Sequence, residues 1–283
     1  MYEFGIIGFG VLGKALMAGY SRNGYQPLIY DVNVPPFNEL HPAFRQCIAV
    51  SVAVPTPPGP DGYDLAHVKS ALNFLASFSY EGVVVLMSTI AASDVRHLKY
   101  LISSIDARYS IAVSPEFLTE ANANDDFYNH RVVYFSPVLP ASAVTALRRC
   151  LVECRGVGVQ LQELTAEQCC LIKTHRNLAL ALKLTSANLT YLEAIANGLD
   201  AKQAQGIVDA VFEDPRLRSQ SAYHTVGNSE GSMGFAGKCL EKDLTAKANG
   251  INDQVSQDLL LALLRFNQHA RSHPTSTLWS QPG

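Results

Sequence analysis

The sequence predicts an α/β chain: a doubly wound parallel sheet, followed by a long helix and a smaller all-α domain. Two patterns carry that expectation. Up to about residue 164, short apolar strand signals alternate with helical periodicity, the signature of βαβ units and a parallel sheet. Beyond it the strand signals cease and only helical periodicity remains. The expected division is 1–164, a helical part 165–271, and a loose tail 272–283.

The first unit is the most specific. Phe4-Gly5-Ile6-Ile7 is a short apolar strand running into Gly8-Phe9-Gly10-Val11-Leu12-Gly13, after which Lys14 to Ser21 reads as helix. In this G-x-G-x-x-G pattern Gly8 makes the tight turn, Gly10 lets the backbone approach a pyrophosphate, and Gly13 lets helix pack on strand. Val11 and Leu12 stand at the helix N-terminus, where free N–H groups and the dipole favour phosphate. A second strand, Leu28-Ile29-Tyr30, stops at Asp31. A carboxylate about 20 residues past the glycines accepts hydrogen bonds from adenosine ribose hydroxyls and repels a 2′-phosphate. The expected cofactor is NAD in a Rossmann-type domain. A bare strand-to-helix turn is the alternative, and strand, glycines, helix and acid in register weigh against it.

Further strands follow at intervals suited to the same sheet. Ile48 to Val54 ends at Pro55-Thr56-Pro57-Pro58, and Leu65 to Phe78 reads as helix with Leu65, Val68, Leu72 and Leu75 on one face. Val83 to Met87 ends at Ser88-Thr89, and Val95 to Ile105 is helical. Ile111-Ala112-Val113 leads into Ser114-Pro115-Glu116-Phe117-Leu118, and Arg131 to Phe135 is one more strand. Ligands of such sheets bind beyond the carboxyl ends of the strands, where Thr56, Pro57, Thr89 and Glu116 stand. Each alone reads as a cap or turn residue; together, beside the glycine motif, they make a candidate site.

Thr165 to about Asn197 reads as one long helix with Thr165 as N-cap and Glu167 in its first turn. Its middle, Leu178 to Leu184, is apolar on nearly every face, which predicts burial between domains or in a subunit interface. Lys173, Asn177 and Asn188 share one face and need polar partners. Ala201 to Phe212 and Leu244 to Asn267 are the remaining helical stretches. Between them lies Gly234-Phe235-Ala236-Gly237-Lys238-Cys239-Leu240-Glu241-Lys242-Asp243. A thiol after a glycine-rich turn, with Lys238 and Lys242 beside it, is placed as a nucleophile. The bland reading of a lone cysteine as core filler stands against it.

Bulk properties narrow the classes. The chain has 283 residues, 48% of them hydrophobic, enough to bury a core in two domains. A net charge of −3 gives no footprint for nucleic acid. No apolar run approaches the roughly 20 residues of a membrane span, and no basic leader precedes the first strand, so the cytoplasm is expected. The six cysteines, Cys47, Cys150, Cys154, Cys169, Cys170 and Cys239, show no zinc-ligand spacing, and no metal is expected.

Taken together the motifs resemble the nucleotide-sugar dehydrogenases, the family of UDP-glucose 6-dehydrogenase and GDP-mannose dehydrogenase. The resemblance rests on Gly8 to Gly13, Val54-Pro55-Thr56-Pro57, Ser88-Thr89-Ile90, Ser114 to Glu120, and Glu167. It continues through Lys173, Asn177, Lys183 and Asn188, then Asp214-Pro215-Arg216, and Gly234 to Asp243, in the family's order. It implies a nucleotide-sugar substrate and two NAD used in turn; a homodimer built around the Thr165–Asn197 helix is expected from that helix's apolar faces. Cys239 is implied as the nucleophile that traps the C6 aldehyde and carries the thioester, and Lys173 and Asn177 as the clamp on the reacting oxygen. Asp243 is implied to position a water or assist proton transfer, Glu116 to act as base in thioester hydrolysis with Thr89 ordering the water, and Glu120 to support them. Phe117, Leu118, Gly234, Gly237 and Arg216 are implied around the sugar nucleotide.

The sequence departs from the family in three places. The family's third, C-terminal nucleotide-gripping domain is expected to be lacking here. The stretch from Asp31 to Ile48 is short. Ala236-Gly237-Lys238 and Ala91-Ala92-Ser93 replace the family's Gly-Gly-Ser and Pro-x-Gly. Two other readings remain: a β-hydroxyacid dehydrogenase, which has no use for Cys239 or Glu116, and a non-catalytic NAD-binding protein.

Overall fold

The computed structural model describes residues 2–39, 41–105, 107–119, 122–137, 140–155, 158–215, 217, 232–235 and 239–273. The chain forms two compact units, residues 1–57 with 63–173, and residues 58–62 with 174–283.

The first unit is built on a parallel five-stranded sheet in the order β2-β1-β3-β6-β7. Its strands are β1 (Phe4–Ile7), β2 (Leu28–Tyr30), β3 (Ala49–Val52), β6 (Val83–Leu86) and β7 (Ser110–Val113). The hairpin β4 (Pro58–Gly59) and β5 (Gly62–Tyr63) lies between β3 and the helix α2 (Ala66–Ser77). Period-2 alternation sends side chains to two covered faces. Val50, Val52, Val84 and Leu86 pack with Leu72 and Leu75 of α2 and with Val95 and Leu98 of α3 (Asp94–Ser104). Ala49, Val83 and Val85 pack on the other face with Leu16 and Tyr20 of α1 (Val11–Arg22), Phe127 of α4 (Ala123–Asn129), and Leu147 and Leu151 of α5 (Ala141–Glu153). Fully burying one such Val or Leu contributes about 1.5–3 kcal/mol, and the central strands are apolar on both faces apart from Ser51, which is buried in β3.

The strand expected over Arg131–Phe135 is β8 (Val132–Phe135), and it does not join the ladder of the main sheet. It pairs in parallel with β9 (Gln160–Glu163), a polar strand that carries no apolar signal. Ser114 and Ser136 stitch this pair to the end of β7: Ser136 N–H donates to the Val113 carbonyl, Val113 N–H to Ser136 Oγ, and Ser114 Oγ to the Tyr134 carbonyl. Helices α4 and α5 lie outside the helices expected from the sequence.

The second unit is helical. Helix α6 (Ala166–Ala196) begins in the first unit and continues into the second. It starts as expected at Thr165, whose Oγ1 accepts from the Gln168 N–H while Gln168 Oε1 accepts from the Thr165 N–H. α7 (Ala201–Glu213) opens on a capping box of Asp200 and Gln203. The single helix expected over Leu244–Asn267 is two, α8 (Leu240–Gly250) and α9 (Gln254–Arg271). Gly250 ends the first, and Asp253 starts the second by accepting from the Ser256 N–H at 2.8 Å. α6 is not buried all round within the chain: Leu171, Leu182, Leu189 and Ile195 remain exposed. No helix among the described residues is long and apolar enough to cross a membrane.

Candidate functional site

Three groups of sequence-predicted residues are assembled by the fold, and each is described within its own unit.

The first is the glycine loop between β1 and α1. Gly8 sits at φ +98°, and a Cβ there would come within 2.5 Å of the Ala53 carbonyl. A Cβ on Gly13 would collide with the Gly8 carbonyl, so the two glycines let helix and strand touch. Nothing lies within 4 Å of a Cβ on Gly10, which leaves space for a ligand to reach the backbone. α1 starts at Val11 with no side chain capping it, so its first N–H groups are available to an anion. Asp31 Oδ2 accepts from the Phe9 N–H at 2.7 Å and Oδ1 from the Asn33 N–H at 2.9 Å. The carboxylate therefore both faces the ligand side and ties the loop to the end of β2. A cavity of about 240 Å³ opens there, lined by Gly8, Tyr30 to Asn33, Val54 and Pro55, and by His67, Ser70 and Phe74 of α2. An apolar slot with a carboxylate beside an uncapped helix N-terminus fits the adenosine and pyrophosphate of a dinucleotide. Thr56 and Pro57 follow β3, and Thr89 follows β6, at the same sheet edge.

The second group lies past β7. Glu116 is buried and forms an ion pair with Arg155, whose side chain is fully buried just beyond α5. Arg155 also donates to the Leu151 carbonyl at 2.8 Å and to the Cys154 thiol at 3.3 Å, and its guanidinium lies 4.4 Å over the Phe127 ring. Burial pulls the Arg155 guanidinium down to about 10, still well above neutral pH. Phe117 presents its ring to the Lys173 ammonium at 5.5 Å. Leu118 packs into the sheet core, and Thr119 Oγ1 and N–H both donate to Asp126. Sequence reasoning missed Arg155. Its partner lies 39 residues away, and only an arginine at the end of an otherwise apolar helix face hinted at it.

The third group lies in the helical unit. Cys239 is exposed at the residue before α8. One turn on, Asp243 is buried, accepting from Asn177 Nδ2 of α6 at 2.5 Å and pairing with the Lys242 ammonium at 2.7 Å. The lysine expected beside the thiol thus reaches the carboxylate. Ahead of Cys239, Asn188 and Asn267 are both buried and hold the chain. Gly234 N–H donates to Asn188 Oδ1 at 2.9 Å, Phe235 N–H donates to Asn267 Oδ1 at 2.8 Å, and Asn267 Nδ2 donates to the Phe235 carbonyl at 3.1 Å. Asn267 was not singled out from the sequence. Arg216, Gly237, Glu120, Ala236 and Lys238 lie outside the described residues.

Residues 36–135 match the family model described as UDP-glucose/GDP-mannose dehydrogenase family, NAD binding domain. A UDP-glucose 6-dehydrogenase of Rickettsia bellii is 27% identical over 231 residues, covering 79% of this chain and 50% of its own length. One from Rickettsia conorii is 25% identical over 242 residues, covering 83% and 51%. The chain spans about half the length of the curated relatives it matches. Among solved structures, a UDP-glucose dehydrogenase from Pyrobaculum islandicum superposes with a TM-score of 0.75 at 22% identity, over 95% of this chain and 68% of that one. A 3-hydroxyisobutyrate dehydrogenase from Salmonella typhimurium gives 0.66 at 16% identity over 96% of each chain. At these identities the solved structures establish the α/β Rossmann-like fold. The resemblance to the nucleotide-sugar dehydrogenases is borne out: residues 36–135 match the NAD-binding domain of that family, and the matches support NAD as the cofactor.

Two outcomes are expected. NAD should bind at least about tenfold tighter than NADP, some 1.4 kcal/mol, because the Asp31 carboxylate lining the cavity would meet a 2′-phosphate at close range; calorimetry showing equal or tighter NADP binding would refute this. Iodoacetamide at neutral pH should alkylate Cys239 alone in the folded protein. Cys47 and Cys170 are pushed up to about 12 and Cys169 to about 11 by burial, and Cys150 and Cys154 are fully enclosed. Peptide mapping that finds a second cysteine labelled at a comparable rate would contradict that assignment.

Proposed function

We propose that this chain oxidises the C6 primary alcohol of a nucleotide sugar to a carboxylate, in two successive oxidations. NAD, held at the glycine loop, would accept the hydride of each. The observation that carries the reading is the exposed Cys239 at the start of α8, with the Asn177–Asp243 hydrogen bond one turn away. A simple alcohol dehydrogenase has no need of an exposed thiol in that setting.

In this reading Lys173 and Asn177 stabilise the oxygen that loses its proton in the first oxidation and gains charge again in the second. Cys239 Sγ adds to the aldehyde carbon to give a thiohemiacetal, which the second oxidation turns into a thioester. Asp243, kept in place by Asn177, assists the proton movements at that carbon. Hydrolysis then needs a base, and Glu116 takes that part with Thr89 ordering the water. Glu116, Phe117, Leu118, Lys173, Asn177, Arg216, Gly234 and Gly237 are assigned to the substrate. We further assign a homodimer, because Leu171, Leu182 and Leu189 are exposed and fall on one stripe of α6.

Three measurements test these assignments. With UDP-glucose, GDP-mannose and UDP-N-acetylmannosamine offered in turn, one should yield two NADH per sugar consumed. A yield of one NADH, with the rate unaffected by Cys239→Ala, would support the hydroxyacid dehydrogenase reading instead. Cys239→Ala should release aldehyde and lose acid formation by orders of magnitude while still binding NAD; acid production at the parent rate overturns the thioester route. For assembly, light scattering should show a dimer at micromolar concentration and a monomer for Leu182→Glu with Leu189→Glu; a monomeric parent would rule out the dimer.

A further inference from the structure

The proposed base for hydrolysis is a carboxylate almost out of reach of water. Only 7% of the Glu116 side chain is exposed, and its one ion-pair partner among the described residues is an arginine whose own side chain is 0% exposed. A carboxylate so buried and left alone would take up a proton at rest and could then accept none. We infer that Arg155 is a positioning residue for Glu116: it keeps the buried carboxylate ionised and aims one oxygen at the hydrolytic water. This inference rests on the reaction proposed above.

The geometry supports aiming as well as charge. Nη2 of Arg155 engages Oε1 of Glu116, and no described residue bonds Oε2. Arg155 is itself fixed by the Leu151 carbonyl, the Cys154 thiol and the Phe127 ring, all from α4, α5 or their ends. A guanidinium held on three sides cannot follow a moving carboxylate, so Glu116 is held in turn. In the hydrolytic step the water oxygen bonds to the thioester carbon, its proton passes to Glu116 Oε2, and the C–S bond breaks to release Cys239. An interaction that acts only here should leave both oxidations untouched.

The test compares the parent with Arg155→Lys and Arg155→Met, in the full chain with NAD and the sugar nucleotide that the parent turns over. Arg155→Met should form NADH in its first turnover and then stall, with the acyl adduct on Cys239 visible by intact mass after acid quench. Its kcat should fall by about 100-fold, the lower end of what a positioned base contributes, while kcat/KM, set by the steps up to acylation, stays close to the parent value. Arg155→Lys should recover part of kcat and accumulate less adduct. A folded Arg155→Met that turns over at the parent rate without adduct overturns the inference. If the lone Met variant fails to fold, Arg155→Met with Glu116→Gln removes both buried charges and keeps the volume filled. That double variant should stall at the same adduct, and turnover at the parent rate would equally overturn the assignment. A parent that makes no NADH with any sugar nucleotide shows instead that the reaction itself is wrong, and the inference falls with it.

Discussion

A parallel sheet covered by helices on both faces has no side on which polar chemistry can sit. In this chain Val50, Val52, Val84 and Leu86 fill one face and Ala49, Val83 and Val85 the other, all of them buried. Apart from Ser51, buried in β3 against the Cys150 thiol, the polar residues of the sheet therefore gather where the strands leave it. Gly8 and Phe9 follow β1, Asp31 follows β2, Thr56 follows β3, Thr89 follows β6 and Glu116 follows β7. The parallel ladder brings these five strand ends to one edge, although their residues are spread over more than a hundred positions of sequence.

The same burial decides how charges are handled once they are there. Taking a carboxylate or a guanidinium out of water costs several kcal/mol each even after relaxation, so a buried charge persists only with a close partner. Asp31, at the mouth of the cavity, needs only two backbone N–H donors. Asp94, in the first turn of α3, accepts from the Ala91 N–H of the preceding loop, and burial raises it from its ordinary value. Glu116 is deeper and carries a full counter-charge in Arg155, whereas Asp243 shares an amide and an ammonium. Replacing such pairs with apolar residues is often neutral or stabilising, so stability alone does not explain why they are kept.

Legibility in the sequence followed the range of the interaction. Strand β2 fell where expected, α6 within one residue at each end, and α2 within one residue, because period and end signals are local. The break between α8 and α9 was missed although Gly250 and Asp253 mark it, since the apolar repeat on either side was read through them. β9 was invisible for a different reason: Gln160-Leu161-Gln162-Glu163 is a mostly exposed strand whose pairing with β8 supplies the order its side chains do not. Cys239, the carboxylates and the Lys173–Asn177 pair stand out in the sequence as residue types in a pattern. Their partners do not. Arg155 meets Glu116 across 39 residues and Asn267 meets Phe235 across 32, and no local rule joins positions so far apart.

Asn188 and Asn267 show what such long-range partners accomplish. The segment Met233-Gly234-Phe235 arrives at α8 without a continuous ladder to define its path, and its backbone N–H groups are buried. An unsatisfied buried N–H costs about 1–3 kcal/mol, so these groups must be met, and two side-chain amides meet them. Asn267 uses both ends of its amide on Phe235, in the manner of a strand neighbour reduced to one side chain. The fit is close enough to constrain the next residue: Gly234 sits at φ +79°, and a Cβ there would come within 2.5 Å of Asn267 Oδ1. The glycine at 234, Phe235 and the two asparagines therefore depend on one another.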